Sequence, residues 1–559
     1  MKIPTAHPGG HLGLTDLLNH KNIHRRTLLA VAVAGVAGTT GCFSDDNDSD
    51  DLYAISPLLR DDIDCSAGDA LDERSSASSD LSGIKPWALN PRYWEYRGEP
   101  IILLGATDND SLFQWGQPTE AIEAQLRWEM DGASCITPDT DHYHLINQLD
   151  RIARSGGNFV RNTMNTRRAE DVYPFHRRTD GLYDLDQWND EYWTLFDVLL
   201  EATYQRDIIV QIELWDGHNY QLVRDDPNGF PQWDAEPFNP KNNINYTEAQ
   251  TILPTKYTVG YQEEVHPFLT SIPSLADDKL LLRYQEKFAK EVLLHAFEYD
   301  HVLYCVQNES WADQAWSNYW KAFIHRTATN EAREHVYVSD MRRYSASVEP
   351  VTQHGFDYAE VSQSGLYSGE QHHQAIAAGW EALREYPVPM TSTKQYGSDE
   401  REWTDGSHEG IARLWRSLFS GQAAVRNHRP PYGLGQHPSA LNHIRSLRIV
   451  ADLIEPPYCL PHHLAERRLQ YRSDDECYLL VNPGRMYAIY FPNRGDVRVD
   501  VSEFNGRVSQ RWLMANRARW TGDWQSIEPE SADVIELTPS ETTHMVAVIT
   551  SATRPRALL

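Results

Sequence analysis

One pattern of apolar and polar positions recurs along the chain from residue 85 to residue 455. A segment with apolar residues three to four positions apart, typical of a helix with one buried face, leads into a short continuous apolar run and then a polar loop. Parallel strands that are covered on both faces have such continuous apolar runs. The pattern therefore predicts helices and strands that alternate around a parallel sheet.

Eight apolar runs of this kind follow one another, which is the number of strands in a (β/α)8 barrel, or TIM barrel. No GxGxxG motif opens a helix after the first run, as a dinucleotide-binding open sheet would require. The runs span residues 100–110, 157–165, 207–217, 301–310, 335–343, 356–365, 388–397 and 421–430. Helices are predicted around residues 140–155, 189–205, 278–298, 312–329, 369–385 and 438–454.

From about residue 465 the pattern changes to short alternating apolar runs separated by turns, which predicts an antiparallel β-sandwich. We therefore predict an α/β chain with a (β/α)8 barrel over residues 85–460 and a small β-sandwich domain over residues 461–559. A long loop after the third strand, residues 216–277, is rich in aromatic residues. Long insertions at the mouth of a barrel usually build the binding site.

The N-terminal segment indicates a targeting signal and not part of the fold. Residues 21–42 read KNIHRRTLLAVAVAGVAGTTGC, and the apolar run in them is too short to span a membrane as a mature helix. The adjacent Arg25 and Arg26 resemble a twin-arginine export signal. The alternative is an anchor helix that stays uncleaved.

The end of this segment resembles a lipoprotein processing site, at Gly41 and Cys42, although Thr39 stands where such sites usually have a large aliphatic residue. We predict residues 1–42 as the signal peptide, with a lipid anchor at Cys42 as one outcome, and residues 43–84 as a disordered acidic linker. The protein would then be exported, to the periplasm, the cell surface or the extracellular space.

Composition narrows the classes of function. The net charge of −29 argues against a nucleic-acid binder, since phosphate contacts need a basic surface. The 17 Trp and 28 Tyr residues serve either packing or sugar binding, where flat rings stack on sugar faces. The sequence has no CxxC pair and no set of converging histidines that would indicate a metal site, so no cofactor is predicted. Cys305 is expected to be a packed thiol.

Active residues of a (β/α)8 barrel lie at the carboxyl ends of its strands. The polar residues that close each apolar run are therefore the candidates for a site. They are Asp108, Asp110, Arg161, Asn162, Glu213, Asp216, His218, Asn308, Glu309, Asp340, Arg342, Arg343, Gln363, Lys394, Tyr396, Arg426, His428 and Arg429.

Gln307-Asn308-Glu309 closes the fourth run, and this motif resembles the large clan of (β/α)8 glycoside hydrolases, most of them retaining. In that clan an Asn-Glu pair at this place contacts a sugar hydroxyl and supplies the acid/base. The resemblance implies that Asn308 binds a sugar hydroxyl and that Glu309 is the proton donor. The alternative is that both residues simply lead into the next helix.

The resemblance covers most of residues 85–550. The sequences KQYG, GIARLWRSLFSGQAAVRNHRP and GLGQHPSALNHIRSLR are similar to a subgroup of marine and gut polysaccharide-degrading proteins, whose C-terminal β-domain is often labelled collagen-binding. That label does not imply collagen as a substrate. The resemblance implies an oligosaccharide or polysaccharide as the substrate.

One departure from the clan concerns the second carboxylate that glycoside cleavage requires. The clan has a nucleophilic Glu at the end of strand seven, whereas Lys394 stands there in this chain. The second carboxylate must then be another residue, and Asp216 is preferred to Asp340 and Glu213, with Glu360 ranked lower.

Several basic residues close strands, and arginine forks bind carboxylate and sulfate groups. Either they bind an anionic sugar, uronic or sulfated, or they form salt bridges within the barrel mouth. The overall prediction is an exported glycoside hydrolase acting on plant or algal polysaccharide fragments. Two alternatives remain, a carbohydrate-binding barrel without catalysis and a polysaccharide lyase that uses Lys394 or Tyr396 as a base. The residues predicted to contact substrate are Asn308, Asp108, Arg161, Asn162, Glu213, His218, Lys394, Tyr396, Arg426, His428 and Arg429.

Overall fold

A computed structural model describes most of the chain beyond the N-terminal segment. The described residues are 83–114, 142–164, 166, 171–220, 232–257, 265–342, 347–362, 367–470, 472–529 and 533–552. The predicted signal peptide, nearly all of the predicted linker and the candidates Arg343 and Gln363 lie outside them. Within the described part, no helix has the length and apolar character needed to cross a membrane.

Eight parallel strands form the central sheet, and each lies inside one of the eight predicted runs. A short antiparallel sheet precedes them, formed by β1 (Lys85–Trp87), β2 (Asn90–Tyr96) and β3 (Glu99–Ile101), and the two-stranded sheet of β6 (Phe175–Arg177) and β7 (Tyr183–Trp188) follows the second barrel strand. The barrel strands are β4 (Leu103–Ala106), β5 (Phe159–Thr163), β8 (Ile209–Asp216), β9 (Val302–Ser310), β10 (Val338–Arg342), β11 (Ala359–Glu360), β12 (Met390–Gln395) and β13 (Ala424–Asn427).

The strand order is β10-β9-β8-β5-β4-β13-β12-β11. The two end strands meet where the backbone N–H of Asp357, just before β11, donates to the carbonyl oxygen of Val338 in β10 at 2.9 Å. This bond joins the ends of the sheet, so the predicted (β/α)8 barrel is confirmed.

Helices alternate with the barrel strands as predicted, and polar side chains cap several of them. The carboxylate of Asp278 accepts from the backbone N–H groups of Leu280 and Leu281, and that of Asp313 accepts from Ala315. The helices are α1 (His142–Arg154), α2 (Asp190–Gln205), α3 (Gln232–Ala235), α4 (Lys279–Ala296), α5 (Gln314–Asn330), α6 (Glu349–His354), α7 (Gly369–Ala382), α8 (Gly406–Phe419), α9 (Pro438–Ile454) and α10 (His462–Ala465). Four of these helices, α3, α6, α8 and α10, were not among the predicted ones.

The long loop after β8 is held against the barrel by aromatic packing. Phe268 is fully buried and stacks on Tyr220, with ring centroids 3.9 Å apart, and it also contacts Trp215 of β8 at 5.5 Å. The insertion is therefore fixed beside the carboxyl ends of the strands, where the predicted site lies.

Two antiparallel sheets form the C-terminal region. One contains β14 (Leu469–Gln470), β17 (Val497–Asp500) and β21 (Val534–Leu537); the other contains β15 (Tyr478–Asn482), β16 (Met486–Asn493), β22 (Thr543–Ser551), β18 (Val508–Met514) and β19 (Arg519–Trp520), with β20 (Gln525–Ile527) paired to β18. Buried side chains of both sheets belong to one apolar cluster, which contains Val499 and Ile535 from the first and Leu479 and Ile489 from the second. The antiparallel strands are as predicted, and the sandwich arrangement and the boundary at residue 460 stay predictions.

The C-terminal sheets pack on the last two barrel helices. Trp415 of α8 stacks on Tyr490 of β16, with ring centroids 4.9 Å apart and an angle of 10° between the planes. Ser446 of α9 donates to the carbonyl oxygen of Ala515 at 2.6 Å. Both contacts bury one face of these helices away from the barrel strands.

Candidate active site

Glu309 lies at the carboxyl end of β9, the fourth barrel strand, with its backbone in the left-handed region (φ 48°). That conformation is unfavourable for a residue other than glycine, and strained backbone of this kind is found at active sites as well as in turns. Gly217, in the turn after β8, lies against it, since a Cβ there would come within 2.8 Å of the Glu309 carbonyl oxygen. A glycine at this position lets the two strand ends approach closely.

Three side chains surround the Glu309 carboxylate, which is 13% exposed; two come from the end of β12 and one from the turn after β8. Lys394 of β12 forms an ion pair with Oε1, and the hydroxyl of Tyr396 donates to the same oxygen at 3.1 Å. The Nε2 atom of His218 lies 3.7 Å from Oε2. Burial would raise the pKa of Glu309, but the charge of Lys394 and the bonds from His218 and Lys394 outweigh it and hold the pKa well below its ordinary value.

Lys394 is 2% exposed and connects Glu309 to Asn308, because Nζ also donates to Asn308 Oδ1 at 2.6 Å. Burial lowers the pKa of Lys394, and the charge of Glu309 only partly opposes this effect. The lysine and the glutamate therefore form a buried pair in which one proton lies between an amine and a carboxylate. Lys394, which stands at the end of the seventh barrel strand, thus lies beside Glu309.

A buried charge network lies beneath this pair inside the barrel. Arg161 of β5 contacts Asp110 at 2.6 Å, Glu213 at 3.1 Å and, more weakly, Asn308 Oδ1 at 3.4 Å. Burial would lower the pKa of Arg161, but the two carboxylates raise it above its usual value. Since both of its Nη atoms contact protein groups, Arg161 holds the strands and Asn308 in place, and Glu213 serves as its counter-ion.

Asp216 ends β8 directly beside Asn308, its partner in the parallel pairing of β8 with β9. It is 2% exposed, and its Oδ1 accepts from the backbone N–H of His218 at 2.9 Å. Asp216 also lines a small cavity whose far wall includes Glu236 of the long loop. Burial raises the pKa of Glu236 to about 8, against a hydrogen bond from the backbone of Phe238, so this second acid is largely neutral at pH 7. Sequence reasoning did not single out Glu236.

Asp340 faces the helix layer and not the barrel centre. Its Oδ1 accepts from Gln307 Nε2 at 2.7 Å, and the same amide nitrogen lies 2.6 Å from Ser317 Oγ in α5. Burial raises the pKa of Asp340 to about 6, against hydrogen bonds from Gln307 and Ser317. Arg342 also binds this side, donating to the carbonyl oxygen of Ala312 at 3.2 Å. These contacts hold both residues against α5 and the segment that leads into it.

Glu360 points into the barrel, where it accepts from the backbone and hydroxyl of Ser362 and lies 3.4 Å from Gln211 Nε2. Burial raises its pKa to about 7, with hydrogen bonds from Ser362 opposing and the charge of Glu213 adding to the effect. Gln211 is a partner of Leu303 in the β8–β9 register, several residues before Glu309 along β9, so Glu360 lies deeper in the barrel than Glu309.

Three further candidates bind other residues of the protein through the groups that could have bound a substrate. Asp108 binds Arg151 of α1 at 3.0 Å and the backbone N–H of Gln436 at 2.7 Å. Asn162 accepts from the backbone of Leu112 at 2.7 Å. The same holds for Arg426, which is fully buried and donates to the carbonyl oxygen of Thr393 at 2.6 Å and to the hydroxyl of Thr107. The arginine cluster is thus mostly a set of internal contacts.

The last candidates stand beside an aromatic group at the mouth that sequence reasoning missed. His428 is buried and contacts the ring of Tyr396 at 5.2 Å, while Arg429 is 24% exposed and binds Asp110 at 2.5 Å. Trp403 contacts Tyr396 at 5.3 Å and Tyr432 at 5.8 Å. The signal available in the sequence was a tryptophan six residues after the predicted run 388–397.

Within the described residues, no group of three or more His, Cys, Asp or Glu side chains could hold a metal ion. The described cysteines Cys305, Cys459 and Cys477 are free and buried, as expected for Cys305. The site is therefore built from carboxylate, amine, hydroxyl and imidazole groups.

Comparisons with known proteins place the fold. No protein-family model matches the chain, and no curated protein matches it in sequence. A solved structure described as a glycoside hydrolase has a TM-score of 0.54 at 10% identity, covering 85% of this chain and 98% of its own. A glycoside hydrolase of family 5 from Bacteroides vulgatus ATCC 8482 has a TM-score of 0.53 at 11% identity, covering 84% of this chain and 93% of its own. The chain shares its fold with these hydrolases over nearly all of their length.

Proposed function

We propose that this chain is an exported glycoside hydrolase that cleaves fragments of plant or algal polysaccharide, with Glu309 as the general acid. The observation that carries the proposal is the position of Glu309, at the carboxyl end of the fourth barrel strand, partly open to solvent and held by Lys394, Tyr396 and His218. The fold shared with glycoside hydrolases supports the reaction class, and residues 1–42 support export.

Because the pKa of Glu309 is held well below its ordinary value, a proton must reach this carboxylate before it can protonate a leaving oxygen. Lys394 is placed to supply that proton, because Nζ bonds Glu309 Oε1 and burial lowers its pKa. A sugar that displaces water from the mouth favours the neutral pair over the ion pair. The proton then passes from Lys394 to Glu309 and on to the glycosidic oxygen as the bond to the anomeric carbon breaks.

Asp216 is the second carboxylate of the proposal. It stands at the same level as Asn308, on the strand next to that of Glu309. As a base it takes a proton from the water that attacks the anomeric carbon. Lys394 occupies the place of a strand-seven nucleophile, and an amine cannot form the glycosyl ester of a retaining enzyme.

The test is Glu309→Gln, which keeps the shape and the hydrogen bonds but cannot donate a proton. We expect kcat to fall about 10²- to 10⁴-fold on a polysaccharide or oligosaccharide that the natural protein cleaves, measured as new reducing ends. The matched control is Glu298→Gln, an exposed residue ahead of β9 at the opposite end of the barrel. Equal activity of the two variants would reject the role of Glu309.

The Lys394–Glu309 ion pair also favours a second candidate, a barrel that binds carbohydrate without cleaving it, because the lysine neutralises the carboxylate. A protein of this kind gains thermal stability with oligosaccharides and releases no reducing ends. A polysaccharide lyase, in which Lys394 or Tyr396 abstracts a proton, would release unsaturated products that absorb ultraviolet light. One incubation followed by both assays separates the three activities.

A further inference from the structure

Trp403 lies at the mouth of the barrel with its ring open to solvent. Among the tryptophans that the structure describes, it alone is largely exposed, at 50%. It belongs to a single turn, Glu402–Thr404, in the loop that follows β12. Large exposed aromatic surfaces are unfavourable in water and often mark places where a ligand binds.

The turn that carries Trp403 is fixed relative to the end of β12, the strand that carries Lys394. Arg413 of α8 is fully buried, and its Nη1 donates to the carbonyl oxygens of both Tyr396, at 3.0 Å, and Thr404, at 2.8 Å. The hydroxyl of Thr404 also donates to the carbonyl oxygen of Ser398 at 2.6 Å. One side chain thus connects the end of β12 to the turn, so the ring is held in a defined place and is not a free surface group.

Two aromatic rings contact the indole of Trp403. Its centroid lies 5.3 Å from the ring of Tyr396 and 5.8 Å from that of Tyr432, the latter at an angle of 34°. Arg401 in turn lies over Tyr432 at 5.5 Å. The exposed part of the indole is therefore the surface turned away from these rings.

Tyr396 connects this surface to the proposed acid, since its hydroxyl donates to Glu309 Oε1 at 3.1 Å. A molecule that touches both Glu309 and Trp403 must extend past one tyrosine side chain. That length corresponds to more than one sugar ring. The C–H face of a sugar is the kind of flat, weakly polar surface that packs on an indole.

We propose that Trp403 is the stacking platform for a sugar ring adjacent to the bond at Glu309, so that the substrate is an oligosaccharide or polysaccharide of at least two rings. This inference rests on the proposed hydrolase function and adds a binding subsite to it. Tyr432 and Tyr396 hold the indole, and the protein binds the chain along the line from Glu309 to Trp403.

The test compares substrates of two lengths in Trp403→Ala and Trp403→Phe. The probes are tetrasaccharides of glucose, mannose, xylose and galacturonic acid, together with the 4-nitrophenyl glycosides of the single sugars. Trp403→Ala is expected to raise KM for the cleaved tetrasaccharide about tenfold and to affect the short glycoside much less, while Trp403→Phe restores most of the difference. The control is Tyr386→Ala, which removes a ring that is 55% exposed ahead of β12, at the other end of the barrel.

Binding to the Glu309→Gln protein separates this inference from the proposed function. Calorimetric titration with the four tetrasaccharides is expected to show binding that Trp403→Ala weakens about tenfold in the same background. Unchanged affinity, or no binding of any tetrasaccharide while Trp403 is present, would overturn the platform. Full activity of Glu309→Gln would instead overturn the acid role of Glu309, whatever Trp403 does.

Discussion

At the scale of single residues, the most informative pair is Lys394 and Glu309. Their contact joins a buried amine to a carboxylate whose pKa is held well below its ordinary value. Two groups this close titrate as a unit, so the pair, and not either residue alone, sets the pH range in which a proton is present. Substitution of the lysine therefore changes where on the pH scale the site works.

We predict that Lys394→Met moves the alkaline limb of the kcat/KM profile to lower pH. In the natural protein the pair keeps the proton that catalysis needs until the pH exceeds the pKa of Lys394. Without the lysine, burial raises the pKa of Glu309, but that carboxyl loses its proton below the pH at which an amine does. Lys290→Met, at an exposed position of α4, is the control. An upward shift of the acidic limb would instead mean that Glu309 works as an anion.

Arg426 gives a second prediction at this scale. Because its donors bind Thr393 and Thr107, Arg426→Met leaves buried acceptors unpaired and should reduce the free energy of unfolding by about 1–3 kcal/mol. The ratio of KM for charged and neutral oligosaccharides should stay constant. Urea unfolding and the two KM values measure both effects, and a selective loss of affinity for charged sugars would show that Arg426 reaches the substrate.

The sequence indicated most of the residues around Glu309 because they close the barrel strands, and the end of each strand is visible as the end of an apolar run. It could not indicate which way each of them points. The pairing of β10 with β9 is irregular between Ser339 and Met341, and Asp340 lies within this interval. A bulge of this kind breaks the alternation of side chains, and here it turns Asp340 towards α5.

At the scale of elements, the turn after β8 and the end of β9 act as one unit. Gly217→Ala would place a methyl group within 2.8 Å of the Glu309 carbonyl oxygen and 2.9 Å of the Ser310 backbone. We predict a fall in kcat of about tenfold or more, because a small displacement of a catalytic group costs rate steeply. Thermal unfolding and kinetics are measured together, and an unchanged kcat would show that the close approach has no effect on the chemistry. Gly522→Ala, where an added methyl group would meet nothing within 4 Å and the backbone is not in the left-handed region, is the control.

The strands and the long helices have visible apolar patterns, and the apolar residues of α8, at 411, 414, 415, 418 and 419, also have helical spacing. What could not be predicted is the burial of its arginines. Arg413 and Arg416 are fully buried in this helix, where Asp405, Glu409 and Asp475 pair with them. A local pattern would instead place both arginines on the exposed, polar face of the helix. Their partners lie as far away as residue 475, beyond the reach of any local pattern.

At the scale of the whole molecule, histidines lie where the barrel helices pack on the C-terminal sheets. Trp415 Nε1 donates to His443 Nδ1 at 3.0 Å, and the hydroxyl of Tyr490 lies 2.8 Å from His544 Nδ1. Burial lowers the pKa of His443 to about 3, with a smaller contribution from His408. Burial also lowers the pKa of His544, with added effects of the neighbouring histidines and Arg416.

We predict that stability is lost on acidification through these groups. Their folded-state pKa values are depressed, so their contribution is fully present above about pH 6.5, the value for an unfolded histidine, and declines as pH falls towards 3. The free energy of unfolding should fall by about 1.4 kcal/mol per pH unit for each such histidine. Urea unfolding at pH 7 and pH 5 measures this slope, which His443→Gln should reduce.

The lysine at the end of β12 has a last consequence for chemical labelling. Activated fluorosugars identify a retaining enzyme by leaving a sugar esterified to its nucleophilic carboxylate. The amine of Lys394 offers no such ester, so peptides from the seventh barrel strand should emerge unmodified from mass spectrometry. A sugar adduct on another peptide would identify the carboxylate that attacks the sugar. If water attacks directly, no peptide should carry an adduct.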